Sequence, residues 1–228
     1  MASCHSPWRT RDARPFDFST SCPWRLGLRL IIPVRRGKVM IEDLVLRNRS
    51  YRRFHQEATV DLETLRELVN LARLSASAAN VQPLKYILSC DAHRNALIYP
   101  HLSWAGYIKD WPGPIEGERP SAYIIILGDK KLKQSFGCDH GIAAQSILLG
   151  ATDKGLGGCI IGSIKKQELS EALEIPPHCD ILLVLALGKP KETVVVEMVG
   201  PDGDFKYWRD EEGVHHVPKR ALDEIIIG

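Results

Sequence analysis

Apolar residues recur at Leu62, Leu65, Val69 and Ala72, the spacing of one helical face, and Asp61 stands where an N-cap belongs. Just upstream, residues 41–47 read as a short helix that ends in a basic loop, Arg49-Ser50-Tyr51-Arg52-Arg53-Phe54. Residues 75–83 are small and polar and predict a loop; Tyr86-Ile87-Leu88 then predicts a strand. Residues 122–127 form an unbroken apolar run of strand length, the pattern of a strand covered on both faces. Residues 141–152 carry no charge and are too few to cross a bilayer, so they read as a core or interface helix. Gly155, Gly157 and Gly158 break that helix, and the apolar Cys159-Ile160-Ile161 leads to Gly162. Ser163 is expected to cap a helix through Leu173, and residues 181–187 give a second buried strand. Asp202-Gly203 and Glu212-Gly213 mark turns, and Pro218 is expected to open a last helix over 219–227. Residues 99–120 hold four prolines with Trp104, Tyr107 and Trp111, and have no sustained period. Helices alternating with few strands place the chain in the α+β class with a central sheet. There is no internal repeat.

Composition narrows the function classes. The 228 residues are 44% hydrophobic and 25% charged, which excludes collagen-like and disordered chains. The net charge of +2 offers nothing for nucleic acid or an anionic membrane. Six scattered cysteines without a C-x-x-C read as reduced thiols of a cytoplasmic protein. The charge is uneven, however: residues 1–39 carry eight Lys/Arg against two Asp, with four prolines. Arg35-Arg36-Gly37 upstream of Met40 fits a purine-rich ribosome-binding sequence read as protein, with translation starting at Met40. An Arg-rich transit peptide is the other reading, which the prolines oppose. The domain proper is expected over 40–228, with the 1–39 leader disordered and without chemistry.

Common motifs are missing. Gly155 and Gly157 begin a G-x-G, but position 160 is Ile, so the dinucleotide fingerprint fails. No Walker-type loop, H-E-x-x-H or G-x-S-x-G occurs, and the adjacent His215 and His216 would point apart in extended chain. No metal site and no protein nucleophile are expected. Three signals remain, each with a plainer reading. Arg49, Ser50, Arg52 and Arg53 suit a phosphate, or are a solvated basic turn. Ser77-Ala78-Ala79-Asn80-Val81-Gln82-Pro83 could serve a planar heterocycle, or be a polar connection. Pro218-Lys219-Arg220 at a helix start could attract an anion, or be a surface cap.

Taken in order, these segments resemble the nitroreductase family of flavin mononucleotide (FMN) enzymes. The residues that carry the resemblance are Arg49-Ser50-Tyr51-Arg52, the 77–83 segment, and Asp139-His140-Gly141-Ile142-Ala143-Ala144-Gln145 opening the uncharged helix. Gly155-Leu156-Gly157-Gly158-Cys159-Ile160-Ile161-Gly162, Leu187-Gly188-Lys189-Pro190 and the pair Lys219-Arg220 complete it. Ala76 stands where the family commonly has proline, and Leu84 where tryptophan is frequent.

The resemblance implies a three-layer α+β fold, with a mainly antiparallel central sheet flanked by helices, and an obligate homodimer with FMN at the interface. It implies that Arg49, Ser50, Arg52 and Arg53 hold the phosphate and ribityl chain with Lys219 or Arg220. Ser77, Ala78, Asn80 and Gln82 would line the isoalloxazine, and backbone at Ile160, Ile161 and Gly162 would approach flavin N5. The glycines there fit a backbone that comes close to a ligand. NADH or NADPH would reduce the flavin, and a small aromatic acceptor, a nitro compound or quinone, would reoxidise it in ping-pong order. Trp104, Tyr107 and Trp111 would form a lid over the site or only an arm of the dimer interface. Flavin fragmentation, dehalogenation and a non-catalytic FMN carrier or sensor are the alternatives.

Overall fold

The computed structural model describes residues 41–228; the 1–39 leader expected from the sequence lies outside them. At the centre, β3 (Ala122–Asp129) is buried at every position. It pairs antiparallel with the long strand β5 (Cys179–Pro190) on one side and with β2 (Leu84–Ser89) on the other. β5 also takes β4 (Gly157–Ile161), and the short β1 (Phe54–His55) at Lys189 and Pro190, giving five strands paired antiparallel throughout.

The continuous apolar run of β3 is accounted for by its two faces, since neighbouring residues on a strand point oppositely. Ile124 and Ile126 pack with Leu65 and Leu68 of α2 (Leu62–Leu74) and with Ala144, Ile147 and Leu148 of α4 (Asp139–Asp153). Tyr123, Ile125 and Leu127 face the other way, toward Ile98 of α3 (Ala92–Ile98), Leu169 of α5 (Lys166–Ala172) and Trp104. The result is helix–sheet–helix, the three-layer α+β arrangement expected. Asp61 caps α2 as the pattern requires, its carboxylate accepting the Thr64 N–H at 2.7 Å. α1 (Ile41–Arg47) precedes the basic loop. Gly128 in β3 is required by a close approach, because a Cβ there would sit 2.4 Å from the Phe136 ring.

Three sequence expectations are corrected. Ser163 does not cap α5, which starts at Lys166 without a side-chain cap. Ser163 instead accepts the Ser103 N–H through its carbonyl at 3.0 Å, tying the 99–120 segment to the end of β4. α3 was not anticipated; its short sequence buries a single residue, Ile98, so it has no visible apolar stripe. The final helix is only α6 (Leu222–Ile225). Lys219 ends a strand, β8 (His215–Lys219), which pairs in parallel with β6 (Val194–Met198) and antiparallel with β7 (Trp208–Arg209). Pro218 is tolerated there because the His215 N–H already faces β6, bonding Thr193 at 2.9 Å, so position 218 turns its nitrogen to the side where β7 has ended. The reading of Pro218-Lys219-Arg220 as a helix N-terminus that attracts an anion falls with that helix.

Candidate functional site

The second sheet folds back onto the basic loop. Glu192, whose side chain is fully buried, accepts the backbone N–H groups of Arg52 and Arg53, the second at 3.2 Å, and the Arg209 guanidinium at 2.8 Å. Arg209 lies over the Trp111 ring, 4.8 Å from its centroid. One carboxylate thus joins the loop, the second sheet and the irregular 99–120 segment.

Arg52 is buried and donates through one terminal nitrogen to the Ser50 carbonyl at 3.2 Å and to His215 Nε2 at 3.1 Å. Arginine only donates, so Nε2 accepts and the His215 proton sits on Nδ1, which is buried without a partner among the described residues. Burial, then the charges of Arg52 and Arg209, push the His215 pKa down to about 4, so this imidazole is neutral near pH 7. Arg52 also stacks on Tyr207 at 4.7 Å, and Tyr207 contacts Tyr107 with ring centroids 5.0 Å apart. Arg53 behaves differently. Its fork grips Glu118 with two 2.6 Å bonds, and Lys191 joins at 3.1 Å. The Arg53 bond, with help from Lys191, overrides burial and holds the Glu118 carboxyl at about 2.

Arg52, Trp104, Tyr207 and the β4 end at Ile160, Ile161 and Gly162 line one cleft of about 220 Å³, which has a cation and no acid in its wall. Trp104 packs over Gly113, and its indole Nε1 is buried without a partner among the described residues. Tyr107 is half exposed. Gly158 is required by packing, since a Cβ there would lie 2.8 Å from the Ala186 carbonyl of the neighbouring strand. At Gly162 a Cβ would meet Leu183 Cδ2 at 3.9 Å, an ordinary contact.

Ser77, Ala78, Asn80 and Gln82 form a separate cradle. Asp139, at the start of α4, accepts the Ser77 hydroxyl at 2.7 Å and the Ala78 N–H at 3.1 Å. Burial opposes ionisation of Asp139, but these bonds outweigh it and its carboxyl lies below the usual range. The Ser77 hydroxyl also accepts the Gln82 N–H at 3.0 Å, so it is committed to shaping the loop. Ala79, Asn80 and Gln82 all adopt left-handed φ values of 52–54°, which cost about 1–2 kcal/mol each for residues with a Cβ. Ser77 and Gln82 line a second pocket with Tyr86 and Asp139, apart from the Arg52 cleft.

Residues 45–113 and 120–189 match the model of the nitroreductase family. The chain belongs to the nitroreductase family. A protein of Archaeoglobus fulgidus named as an NADH dehydrogenase/NAD(P)H nitroreductase is 26% identical over 148 residues, 61% of this chain and 80% of its own. The nitroreductase family protein of Streptococcus pneumoniae TIGR4 has this fold with a TM-score of 0.61, at 17% identity over 83% of this chain and 100% of that one. A nitroreductase of Exiguobacterium sibiricum 255-15, solved in complex with FMN, gives a TM-score of 0.58 at 19% identity, covering 68% and 90% of the two chains.

Within this nitroreductase-family chain, Arg52, Ile160, Ile161, Gly162 and Trp104 come together, while Arg49 and Ser50 do not line their cleft. Arg49 donates to the Val45 carbonyl at 2.6 Å, and its Nε is buried without a partner among the described residues. Lys219 is exposed, and Arg220 pairs with Glu224 at 3.6 Å. Sequence reasoning missed Glu192, Arg209, Tyr207 and His215. Only the adjacent histidines hinted at the last, and they do point apart: His216 lies flat on Trp208, 4.0 Å away, and bonds Asp210 and Glu197.

Proposed function

We propose that the chain is an FMN-dependent oxidoreductase that carries electrons from NAD(P)H to a small aromatic acceptor, a nitro compound or quinone, in ping-pong order. The observation that carries this reading is the cleft that Arg52 and Trp104 line with the β4 end at Ile160–Gly162, holding one cation and no acid among the described residues. The Arg52 guanidinium suits the electron-rich edge of an anionic planar ligand. FMN, as held by the Exiguobacterium relative, is such a ligand.

In this reading Arg49, Ser50 and Arg52 hold the phosphate and ribityl chain, with Lys219 and Arg220 as further cations. Arg53 is engaged by Glu118 and acts on the loop's shape. Bound flavin supplies the two-electron chemistry. The protein's part is to fix charge and exclude water. Glu192 sets the backbone at Arg52, and neutral His215 accepts from its guanidinium without adding a competing charge. The 77–82 cradle lies apart from the cleft, which supports a site built from two copies, its second wall being the Ser77, Ala78, Asn80 and Gln82 loop of the other subunit. In this reading Tyr107, in contact with the cleft residue Tyr207, and Trp111, under Arg209, serve as lid residues.

The test is a visible spectrum of the purified protein, followed anaerobically by NADH and then NADPH. Flavin bands that bleach with either nucleotide are the expected result. A colourless protein that FMN cannot reconstitute overturns the reading. Arg49→Ala is expected to lower FMN occupancy, and full occupancy in that variant removes the phosphate assignment.

A further inference from the structure

Asp129, His178 and Cys179 place a carboxylate oxygen, an imidazole nitrogen and a thiol sulfur within 4.8 Å of one another. The fold accounts for the meeting. Asp129 ends β3 and Cys179 begins β5, directly opposite each other. The next bond along, from the Lys130 N–H to the His178 carbonyl at 2.8 Å, makes Asp129–Cys179 a pair without hydrogen bonds between its members. In such pairs the facing side chains come closest. Sequence neighbours on a regular strand point to opposite faces, so His178 would leave the group if β5 began earlier. It stays because residues 176–179 form a turn, closed by the Cys179 N–H on the Pro176 carbonyl at 2.8 Å. Pro177 presets the φ that such a turn takes at its second position.

The donors are available. Asp129 is buried, and one of its oxygens takes the Lys131 N–H at 2.9 Å. The His178 ring and the Cys179 thiol make no side-chain hydrogen bond among the described residues, and Cys179 forms no disulfide. The geometry points to a site for a divalent cation of the zinc class, held by Asp129, His178 and Cys179 with a fourth position open to water. Sulfur, nitrogen and oxygen donors in that number are a zinc set, and the thiolate disfavours magnesium or calcium. A bound cation would lie between the facing Asp129 carboxylate and Cys179 thiolate and be attracted by both. Lys85 and Lys131 act against the cation. Binding exchanges the thiol proton, released to solvent, for a sulfur–metal bond. The site lies at the opposite end of β5 from residues 184–188, which pair with β4 beside the Arg52 cleft. Metal here ties the ends of β3 and β5 to the turn between α5 and β5, and its presence is independent of the flavin reading.

The full chain is stripped with a chelator and titrated with cobalt(II), followed by displacement with zinc. The expected result is one equivalent bound, with a thiolate-to-cobalt charge-transfer band seen in difference spectra against the flavin background. That band is lost in Cys179→Ser. Calorimetry with zinc is expected to show His178→Ala binding about tenfold weaker or worse. His178 is partly exposed, so this variant tests a ligand without opening the core. Absence of the band, its survival in Cys179→Ser, or parent-like zinc affinity in His178→Ala overturns the site. Flavin content measured on the same samples separates a failed metal site from a failed flavin site.

Discussion

Two adjacent histidines show how far surroundings outweigh residue type. His215 is buried against Arg52 and its folded pKa of about 4 lies below the unfolded value near 6.5. The unfolded chain therefore takes up this proton first, and the stability held above pH 6.5 is lost as the pH falls toward 4. Urea unfolding across that window is expected to show a falling midpoint. His215→Gln, which keeps an acceptor for Arg52 but cannot titrate, is expected to flatten the slope. His216 goes the other way. Asp210, with Glu197, raises its pKa, so its contribution is present at low pH and fades as the pH rises through the raised value. Strain gives a second prediction at this scale. Ala79 holds φ 52° with a Cβ, and Ala79→Gly is expected to raise stability by about 0.5–1 kcal/mol in urea unfolding, the relief of strain less the added entropy of the unfolded chain. A lower midpoint would mean that the loop is not strained.

At the scale of elements, the basic loop is held by a carboxylate more than a hundred residues away. Arg209→Ala leaves Glu192 buried against two N–H groups with its cation gone. The expected cost is about 3 kcal/mol, with weaker FMN retention; unchanged flavin content and an unchanged midpoint would show that the second sheet does not hold the loop. Elements with dense local patterns were legible from sequence: α2 through its stripe and Asp61, β3 and β5 through apolar runs, α4 through its lack of charge. The second sheet was not, because β6 and β8 are short, partly exposed and joined across a loop. Pro218 gave a helix-start signal that strand-edge geometry overrode. Of the residues the sequence singled out, Arg52 and Ile160–Gly162 meet in one cleft, while the 77–82 loop lies apart from it. Glu192 was not legible, since an isolated Glu in a charged stretch carries no mark of burial. The trio Asp129, His178 and Cys179 spans about fifty positions, and only the β3–β5 register brings it together.

For the whole molecule, the apolar side chains of Ile41, Val45, Leu46, Leu71, Leu74 and Ile142 stand exposed on α1, α2 and α4. α4 is apolar on most of its surface, as helices covered on all sides are. A homodimer that covers these residues is expected in sedimentation equilibrium. Ile142→Glu is expected to shift it toward monomer and to lower FMN content in parallel. A monomeric parent that retains full flavin would show that one copy suffices.

The contact between Glu192 and the 52–53 backbone also orders events at the ribosome. The arginine loop leaves the exit tunnel among the first described segments, long before Glu192, Arg209 and His215 have been synthesised. Until then it lacks both its carboxylate clamp and the imidazole that accepts from Arg52. The Arg52 cleft therefore stays unfinished until β8 has been made and folded back onto the loop.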